Sequence, residues 1–257
     1  MHTLISELDR LFLREGEELT PALLLAQLAG AIPVPLALAG RDGMTRTLVM
    51  AFGGKGSGEQ HWSDLVTLAN ALQQELDLPA PAVSVSGGDT FNLWLSLATP
   101  VPMAQARQFA QLLRQAFLPE SGKVLASAPP ADMHDLPLPP CLHASGKWSA
   151  FIHPGMGAAF ADEPGLDMAP TPAGQLALVE GLRSATALQF AQALAKLQQH
   201  LGVAAAPPVA AAAAATAAPA APPAAREGLL LQDATLEDIV RWLHARQIEP
   251  TFRHRLP

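Results

Sequence analysis

The residues best suited to chemistry lie in a short glycine-containing stretch at 83–97, which reads VSVSGGDTFNLWLSL. Ser86, Gly87 and Gly88 form the centre of a predicted turn between two apolar strands, and Asn92 follows inside the second strand. Glycines lack a Cβ, so a ligand can approach their backbone closely and bond to a nearby serine or asparagine. The stretch therefore predicts a nucleotide-binding loop, with an ordinary β-hairpin as the alternative.

Three further side chains are candidates for contact with a ligand. Lys55 lies in the loop GGKGSG at 53–58, which lacks the spacing of a P-loop, so a flexible strand-to-helix connection is the alternative. His61 lies at the start of a predicted helix, where anions are favoured, with a solvated turn histidine as the alternative. Lys147 could pair with nucleic acid, or it could be an ordinary edge-strand residue.

Cysteine and histidine side chains on one extended segment offer a weaker signal. Cys141 and His143 could place a nucleophile beside a base, but no third group to orient the base is evident. His134, Asp135 and His143 also lack the ligand spacing of a metal site. We therefore predict no catalytic residue, no metal ligand and no cofactor, with a divalent metal expected only if the protein is an active enzyme.

Composition limits the class of protein. The chain has 257 residues, 49% hydrophobic and 15% charged, with a net charge of −7. That balance favours a folded domain and argues against a large basic surface for nucleic acid, although a local basic groove is compatible with it. The single cysteine, the absence of a signal-peptide pattern and the absence of an uninterrupted apolar span predict a cytoplasmic protein without a membrane segment. The alanine-rich and proline-rich composition without tyrosine is associated with high-GC bacterial genomes.

The elements that must position these residues follow from apolar spacing. Helices are predicted at 4–12, after the Thr20-Pro21 pair, at 62–76, after Pro102 up to Phe117, and at 174–201. Strands are predicted at 36–39 and 45–52 as a hairpin, at 83–97 as the hairpin above, at 123–127 and at 147–152. The sequence therefore predicts an α+β fold, with a mixed or antiparallel sheet packed with helices.

The C-terminal part of the chain has a different composition. Residues 202–226 are almost entirely alanine and proline, which predicts a semi-stiff linker after a main domain at 1–201. The tail at 227–257 is predicted to form a helix and a strand. Because it has few apolar groups, it cannot hold a core alone, and we expect it to dock on the main domain or on a protein partner.

Residues 45–117 follow one order: strand, loop, helix, Ser-Gly-Gly hairpin, Leu-Trp-Leu strand, Pro-Val-Pro and a further helix. This order resembles the catalytic core of the archaeo-eukaryotic primase superfamily, particularly bacterial primase-polymerases. In that family the first strand carries an Asp-x-Asp pair for divalent metal, and the histidine of a later Ser-Gly…His motif contacts the phosphates of the incoming nucleotide. Here Ser86 and Gly87 match the Ser-Gly pair, and Asn92 takes the position of the histidine.

A second stretch extends the resemblance to about residues 35–200. LPLPPCLHASGKWSAFI, at 136–152, is similar to the family's segment of leucine, proline, histidine, Gly-Lys and aromatic residues. The resemblance implies a primase-polymerase-like core. The candidates for contact with nucleotide or nucleic acid are Ser86, Gly87, Gly88, Asn92, Lys55, His61, His143 and Lys147.

The departures from the family pattern decide the functional expectation. The strand that would carry Asp-x-Asp reads LVMAF at 48–52, without a carboxylate, although two-metal phosphoryl transfer requires oxygen ligands. Asn92 can donate a hydrogen bond but cannot carry positive charge. The resemblance therefore implies a catalytically degenerate domain, acting as an accessory protein that binds nucleotide or single-stranded nucleic acid in a replication or mobile-element context.

Two other functions are open at this point. The first is a non-enzymatic protein-interaction module that uses the fold as a scaffold. The second is an active nucleotidyltransferase whose carboxylates come from elsewhere, for example from Asp42, Asp64 or Asp89. The latter requires at least two carboxylates close to a common point.

Overall fold

The computed structural model describes residues 2–13, 20–30, 35–36, 40, 42–54, 56–118 and 136–203. The helices are α1 (His2–Phe12), α2 (Pro21–Leu28), α3 (Gly58–Gln74), α4 (Met103–Phe117), α5 (Pro172–Val179) and α6 (Ala187–Leu201), with a 3-10 helix at Pro154–Phe160. The strands are β1 (Pro35–Leu36), β2 (Met44–Gly53), β3 (Ala82–Val85), β4 (Thr90–Pro102), β5 (Leu136–Pro137) and β6 (Ala150–Phe151). The predicted α+β class is confirmed.

Four strands form one antiparallel sheet in the order β2-β4-β3-β6. β4 lies between β2 and β3, and the predicted hairpin of β3 and β4 is present. Because α3 connects β2 to β3 and β4 lies between these two strands, the three strands and the helix form a split β-α-β unit. β1 and β5 form a separate two-stranded sheet.

The alternation of side chains along β4 supplies two apolar cores. Phe91, Leu93 and Leu95 belong to the first core, which is completed by apolar side chains of α3, α4 and α6. Trp94 points to the opposite face and belongs to the second core, with side chains of α1, α2 and α5. The sheet is therefore covered by helices on both faces.

The second core is organised around three aromatic rings. Phe12 stacks on Phe151 with ring centroids 5.6 Å apart and lies 5.4 Å from the ring centroid of Trp94. The indole N–H of Trp94 donates to Ser84 Oγ at 2.8 Å, so its polar group is satisfied in the interior. Gln175 of α5 bonds to both the backbone N–H and the carbonyl oxygen of Phe151, which secures α5 against β6.

Two predictions differ from the structure. Leu36 pairs with Leu136 of β5 and not with β2, and residues 37–39 of the predicted first hairpin lie outside the described residues. The predicted helix at 174–201 is two helices, because Thr186 begins α6 with its own capping box. The segment between them passes beside β4, where Ala185 N–H donates to the Ser96 carbonyl oxygen at 2.8 Å.

One predicted strand is shorter in the structure, and several other predicted segments lie outside the described residues. The strand predicted at 147–152 is shorter, since β6 covers Ala150–Phe151 and Trp148 makes isolated bridges to Leu142 and Leu166. The strand predicted at 123–127, the tail at 227–257 and all but the first two residues of the linker lie outside the described residues. Among the described helices, none has the length and apolar character needed to cross a membrane.

Replacing Phe12 by alanine should lower the free energy of unfolding by about 3 to 5 kcal/mol, because it removes a stacked ring from the second core. The matched control is Leu188→Ala on α6, whose side chain is 67% exposed. That substitution should alter the free energy of unfolding by no more than about 0.5 kcal/mol. Urea denaturation followed by circular dichroism measures both, and equal effects would contradict the described core.

Candidate functional site

Five of the predicted site residues meet at one end of the sheet. The turn at Ser86–Thr90 packs between the turn at 143–149 and the segment at 163–166, which brings Ser86, Gly87, Gly88, His143 and Lys147 together. The Gly87 N–H donates to the Pro164 carbonyl oxygen at 2.8 Å, and Ser145 Oγ donates to the Gly87 carbonyl oxygen at 2.5 Å. We call these three packed segments the loop end.

Ser86 is bonded within its own turn. Its Oγ accepts hydrogen bonds from the backbone N–H groups of Gly88, at 3.0 Å, and Thr90, at 3.1 Å. Short hydroxyl side chains commonly stabilise turns in this way. The Ser86 hydroxyl therefore shapes the turn, and its oxygen already accepts two amides.

Gly87 is required by contacts within the chain, and Gly88 lies close to the His143 ring. Gly87 has φ +79°, and a Cβ on it would lie 2.8 Å from His143 Cβ and 2.9 Å from the Lys147 carbonyl oxygen. A Cβ on Gly88 would lie 3.1 Å from the His143 ring, and one on Gly165 would lie 2.9 Å from Gly87 Cα. The space that a ligand would need beside Gly87 is filled by the neighbouring segments.

Lys147 is held by two carboxylates. Its Nζ bonds to Glu163 Oε2 at 2.7 Å and to Asp167 Oδ1 at 2.9 Å. These hydrogen bonds, that to Glu163 first, raise the pKa of Lys147, so the ammonium is charged and already paired. The pairing joins residues 16 and 20 positions apart, so it has no local signal in the sequence.

Asn92 lies apart from this cluster, on β4. It stands in register with Ala51 of β2 and Ser84 of β3. Its side chain is buried on the same face of the sheet as Trp94, and no hydrogen bond of its amide is found in the part of the chain that the structure describes. It is therefore a buried polar residue beside the second core.

His61 lies on the opposite face, at the first turn of α3. Its Nε2 is 3.4 Å from the Gly54 carbonyl oxygen, and its neighbour Trp62 packs on Phe91 of the first core. The α3 N-terminus is occupied by the chain itself, since Ser57 caps the Gln60 N–H and a Cβ on Gly58 would overlap the Ala161 carbonyl oxygen. Lys55 lies outside the described residues.

The cysteine and histidine suggested as a nucleophile and base have different partners. Cys141 is buried, and its Sγ lies 3.0 Å from Ser149 Oγ. Burial raises the pKa of the Cys141 thiol, which favours the neutral, unreactive form. His143 instead accepts from the Ser145 N–H through Nδ1 at 3.1 Å. Sequence reasoning did not identify Ser145 or Ser149, which organise this turn.

Two of the three carboxylates suggested as relocated metal ligands, Asp42 and Asp89, lie far apart. Asp42 bonds to the Met44 N–H at the start of β2, whereas Asp89 lies in the turn beside the end of β2. The ten residues of β2 at ~3.3 Å per residue separate these positions by about 30 Å. Asp64 lies on α3 and accepts from Gln60 of the same helix. Over the described ranges, no group of three or more histidine, cysteine or acidic residues could hold a metal ion.

The loop end and the adjacent first turn of α3 carry an excess of acidic residues. The described residues of the loop end, of positions 162 and 167 beside it and of the first turn of α3 include one ammonium, that of Lys147, and five carboxylates, those of Glu59, Asp89, Asp162, Glu163 and Asp167. Such an arrangement produces a negative local potential. The charges of these described residues therefore oppose the approach of phosphates.

Comparisons with known proteins do not place the chain in a family. No protein-family model matches the chain. A search of curated proteins also found no match. The resemblance to primase-polymerases therefore depends on short motifs and on the order of elements, and the functional argument depends on the geometry.

Replacing Gly87 by alanine should destabilise the protein more than the same change at Gly43. Both residues have positive φ, so alanine incurs a backbone cost of about 1 kcal/mol at each. A Cβ at Gly87 also meets His143 and Lys147, whereas a Cβ at Gly43 meets nothing within 4 Å. We expect an additional loss of about 1 to 3 kcal/mol at Gly87 in urea denaturation. Equal losses would mean that the turn is not packed.

The Cys141 thiol should react slowly with an aromatic disulfide reagent at about pH 8, near the ordinary pKa of a free thiol. Burial and the raised pKa both reduce the accessible thiolate in the folded protein. The folded thiol keeps its proton at a pH where the unfolded thiol loses it, so stability falls as the pH rises through that window. Absorbance should show full reaction in denaturing urea. Rapid stoichiometric labelling without urea would contradict the burial.

Proposed function

We propose that this chain is a non-enzymatic protein-interaction module built on a primase-polymerase-like fold. The observation that carries the proposal is the pairing of Lys147 with Glu163 and Asp167. Lys147 is the lysine among the described candidates for phosphate contact. Both of its partners are acidic side chains of the chain itself. Two of the three N–H donors of its ammonium therefore already have carboxylate acceptors within the chain.

The proposed absence of catalysis is supported by the packing of β2. The strand that the resemblance assigns to the metal ligands reads LVMAF at 48–52, and its Val49 and Ala51 lie on the same face of the sheet as Trp94. Val49 belongs to the second core beneath α1. These apolar residues do not fit a divalent metal, because Mg²⁺ and similar ions require oxygen ligands.

Exposed apolar surface supports a protein partner. On α2, the side chains of Leu23 and Leu25 are 43% and 51% exposed, although Leu24 between them is buried. Because residues two positions apart on a helix do not face each other, these leucines offer two separate apolar contacts to a partner. A cytoplasmic location belongs to this proposal.

The second candidate function is that of a nucleotide- or nucleic-acid-binding accessory protein in replication or in a mobile element. The order β2-α3-β3-β4-α4 favours it, since the resemblance depends on that order. Its ligand would be a nucleotide or single-stranded nucleic acid. The acidic loop end weighs against it, because binding to a polyanion depends mainly on basic side chains.

A titration distinguishes the two candidates. Fluorescent single-stranded DNA, and separately a nucleoside triphosphate with Mg²⁺ or Mn²⁺, would be titrated with the full chain and with Lys147→Ala at two salt concentrations. The proposal predicts no saturable binding of either ligand, because the loop end is acidic and its described lysine is paired.

Two outcomes of that titration would contradict the proposal. Salt-sensitive DNA binding that Lys147→Ala weakens would establish the second candidate. Metal-dependent binding of the triphosphate would restore an enzymatic function. Circular dichroism of both proteins would show that each is folded in the assay.

A further inference from the structure

Two exposed histidines, His143 and His153, lie on either side of β6 in the sequence and bind backbone amides through the same ring nitrogen. His143 Nδ1 accepts a hydrogen bond from the Ser145 N–H at 3.1 Å. His153 Nδ1 accepts one from the Gly155 N–H at 3.0 Å. In both cases the donor is the backbone N–H two residues further along the chain. Each ring therefore fastens a turn next to β6.

The direction of these two hydrogen bonds defines the protonation of the rings. A backbone N–H can only donate, so the ring nitrogen that it meets must offer a lone pair and carry no proton. A neutral imidazole meets this condition when its proton is on Nε2, whereas a charged imidazolium carries a proton on both nitrogens. Both turns therefore require a neutral ring with its proton on Nε2.

The turn that His143 fastens is bonded to the Ser86–Thr90 turn. The Ser145 hydroxyl donates to the Gly87 carbonyl oxygen at 2.5 Å and accepts from the Lys147 N–H at 3.2 Å. The His143 N–H donates to the Lys147 carbonyl oxygen at 2.8 Å, which closes the turn independently of the ring. Loss of the bond at Nδ1 therefore leaves the turn closed by its backbone but frees Ser145 to move away from Gly87.

The turn that His153 fastens is the start of the 3-10 helix at Pro154–Phe160, of which His153 is the N-cap. The Gly155 N–H is one of the amides at a helix start that have no partner within the helix. This helix packs closely on α3, since a Cβ on Gly157 would overlap the ring of Trp62. Loss of the cap therefore loosens the segment that covers Trp62.

Two other described histidines bind differently. His61 Nε2 lies 3.4 Å from the Gly54 carbonyl oxygen, and the His200 ring stacks on Phe117 with ring centroids 6.2 Å apart. A carbonyl oxygen accepts from a ring N–H, so a charged His61 keeps its bond. The acceptor role is therefore a property of His143 and His153 and not of the histidines in general.

The elements packed against the two rings carry charged groups of both signs. Their described members are six carboxylates and one ammonium, those of Glu59, Asp64, Asp89, Asp162, Glu163, Asp167 and Lys147. Carboxyl groups ordinarily titrate near about pH 4 and ammonium groups near about pH 10, whereas imidazole titrates near about pH 6.5. The charges that change between about pH 7.5 and about pH 5 are therefore those of the histidines.

We infer that His143 and His153 form a proton-sensitive fastening, which holds the turns on both sides of β6 while the rings are neutral and releases them when the rings are charged. Release frees the N–H groups of Ser145 and Gly155 and loosens the segments that pack on the Ser86–Thr90 turn and on Trp62. Because both rings are exposed, protons reach them without unfolding of the chain. This response goes beyond the proposed function and does not depend on it.

Nuclear magnetic resonance of the imidazole nitrogens tests the required state of the rings in the full wild-type chain. At about pH 7.5 the long-range proton–nitrogen spectra should show the proton on Nε2 for both His143 and His153. A proton on Nδ1 at that pH would overturn the inference, because the ring would then be a donor toward an amide that can only donate.

Amide hydrogen exchange at about pH 7.5 and about pH 5, with each rate divided by that of an unstructured peptide, tests the release. Protection of Ser145 and Gly155 should fall about threefold to tenfold on acidification, the effect of losing one hydrogen bond. His143→Asn and His153→Asn are matched controls, since asparagine accepts the same N–H two residues on and does not titrate. His143→Asn should remove the response of Ser145 and keep that of Gly155, and His153→Asn should do the reverse.

Two results of the exchange measurement would contradict the fastening. Unchanged protection of both amides in the wild type would show that charged rings do not release the turns. An equal fall in the wild type and in both asparagine variants would show that another group titrates. Circular dichroism shows whether each variant is folded. For a variant that does not fold, the ring spectra and the exchange of the wild type decide, because neither needs a substitution.

Discussion

Strand β4 is paired along both edges and covered on both faces, so its sequence must satisfy two apolar cores at once. Phe91 and Leu93 face the first core, whereas Trp94 faces the second. The polar groups that this arrangement buries must find partners inside the protein. Trp94 bonds to Ser84 of β3, and Ser96 Oγ donates to the Leu11 carbonyl oxygen at 2.6 Å. These bonds fix β3 and α1 relative to β4.

The second core also accounts for apolar residues on one face of β2. That face lies beneath α1, where Val49 packs with Phe12 and Trp94. A charged carboxylate in such surroundings would be costly to bury without a cation. Apolar residues on β2 allow α1 to cover the sheet, and the buried amide of Asn92 is compatible with that cover because it is uncharged.

Local signals predicted much of this fold, and long-range pairings accounted for the errors. The Thr20-Pro21 start of α2 and the β3–β4 hairpin follow from a cap and from period-two alternation. The break between α5 and α6 had a signal in the Thr186-x-x-Gln189 capping box, but continued apolar spacing concealed it. The partner of Leu36 and the ion pairs of Lys147 have no local signal, since they depend on tertiary packing.

The central claim is that the turn at Ser86–Thr90 is fixed by contacts within the chain and is not an open ligand loop. Amide hydrogen exchange of the uniformly labelled full chain, followed by nuclear magnetic resonance, tests it most directly. The account predicts slow exchange for Gly87, whose N–H bonds to Pro164, and for Gly88 and Thr90, which bond to Ser86. Exchange of these three amides at the rate of an unstructured peptide would contradict it.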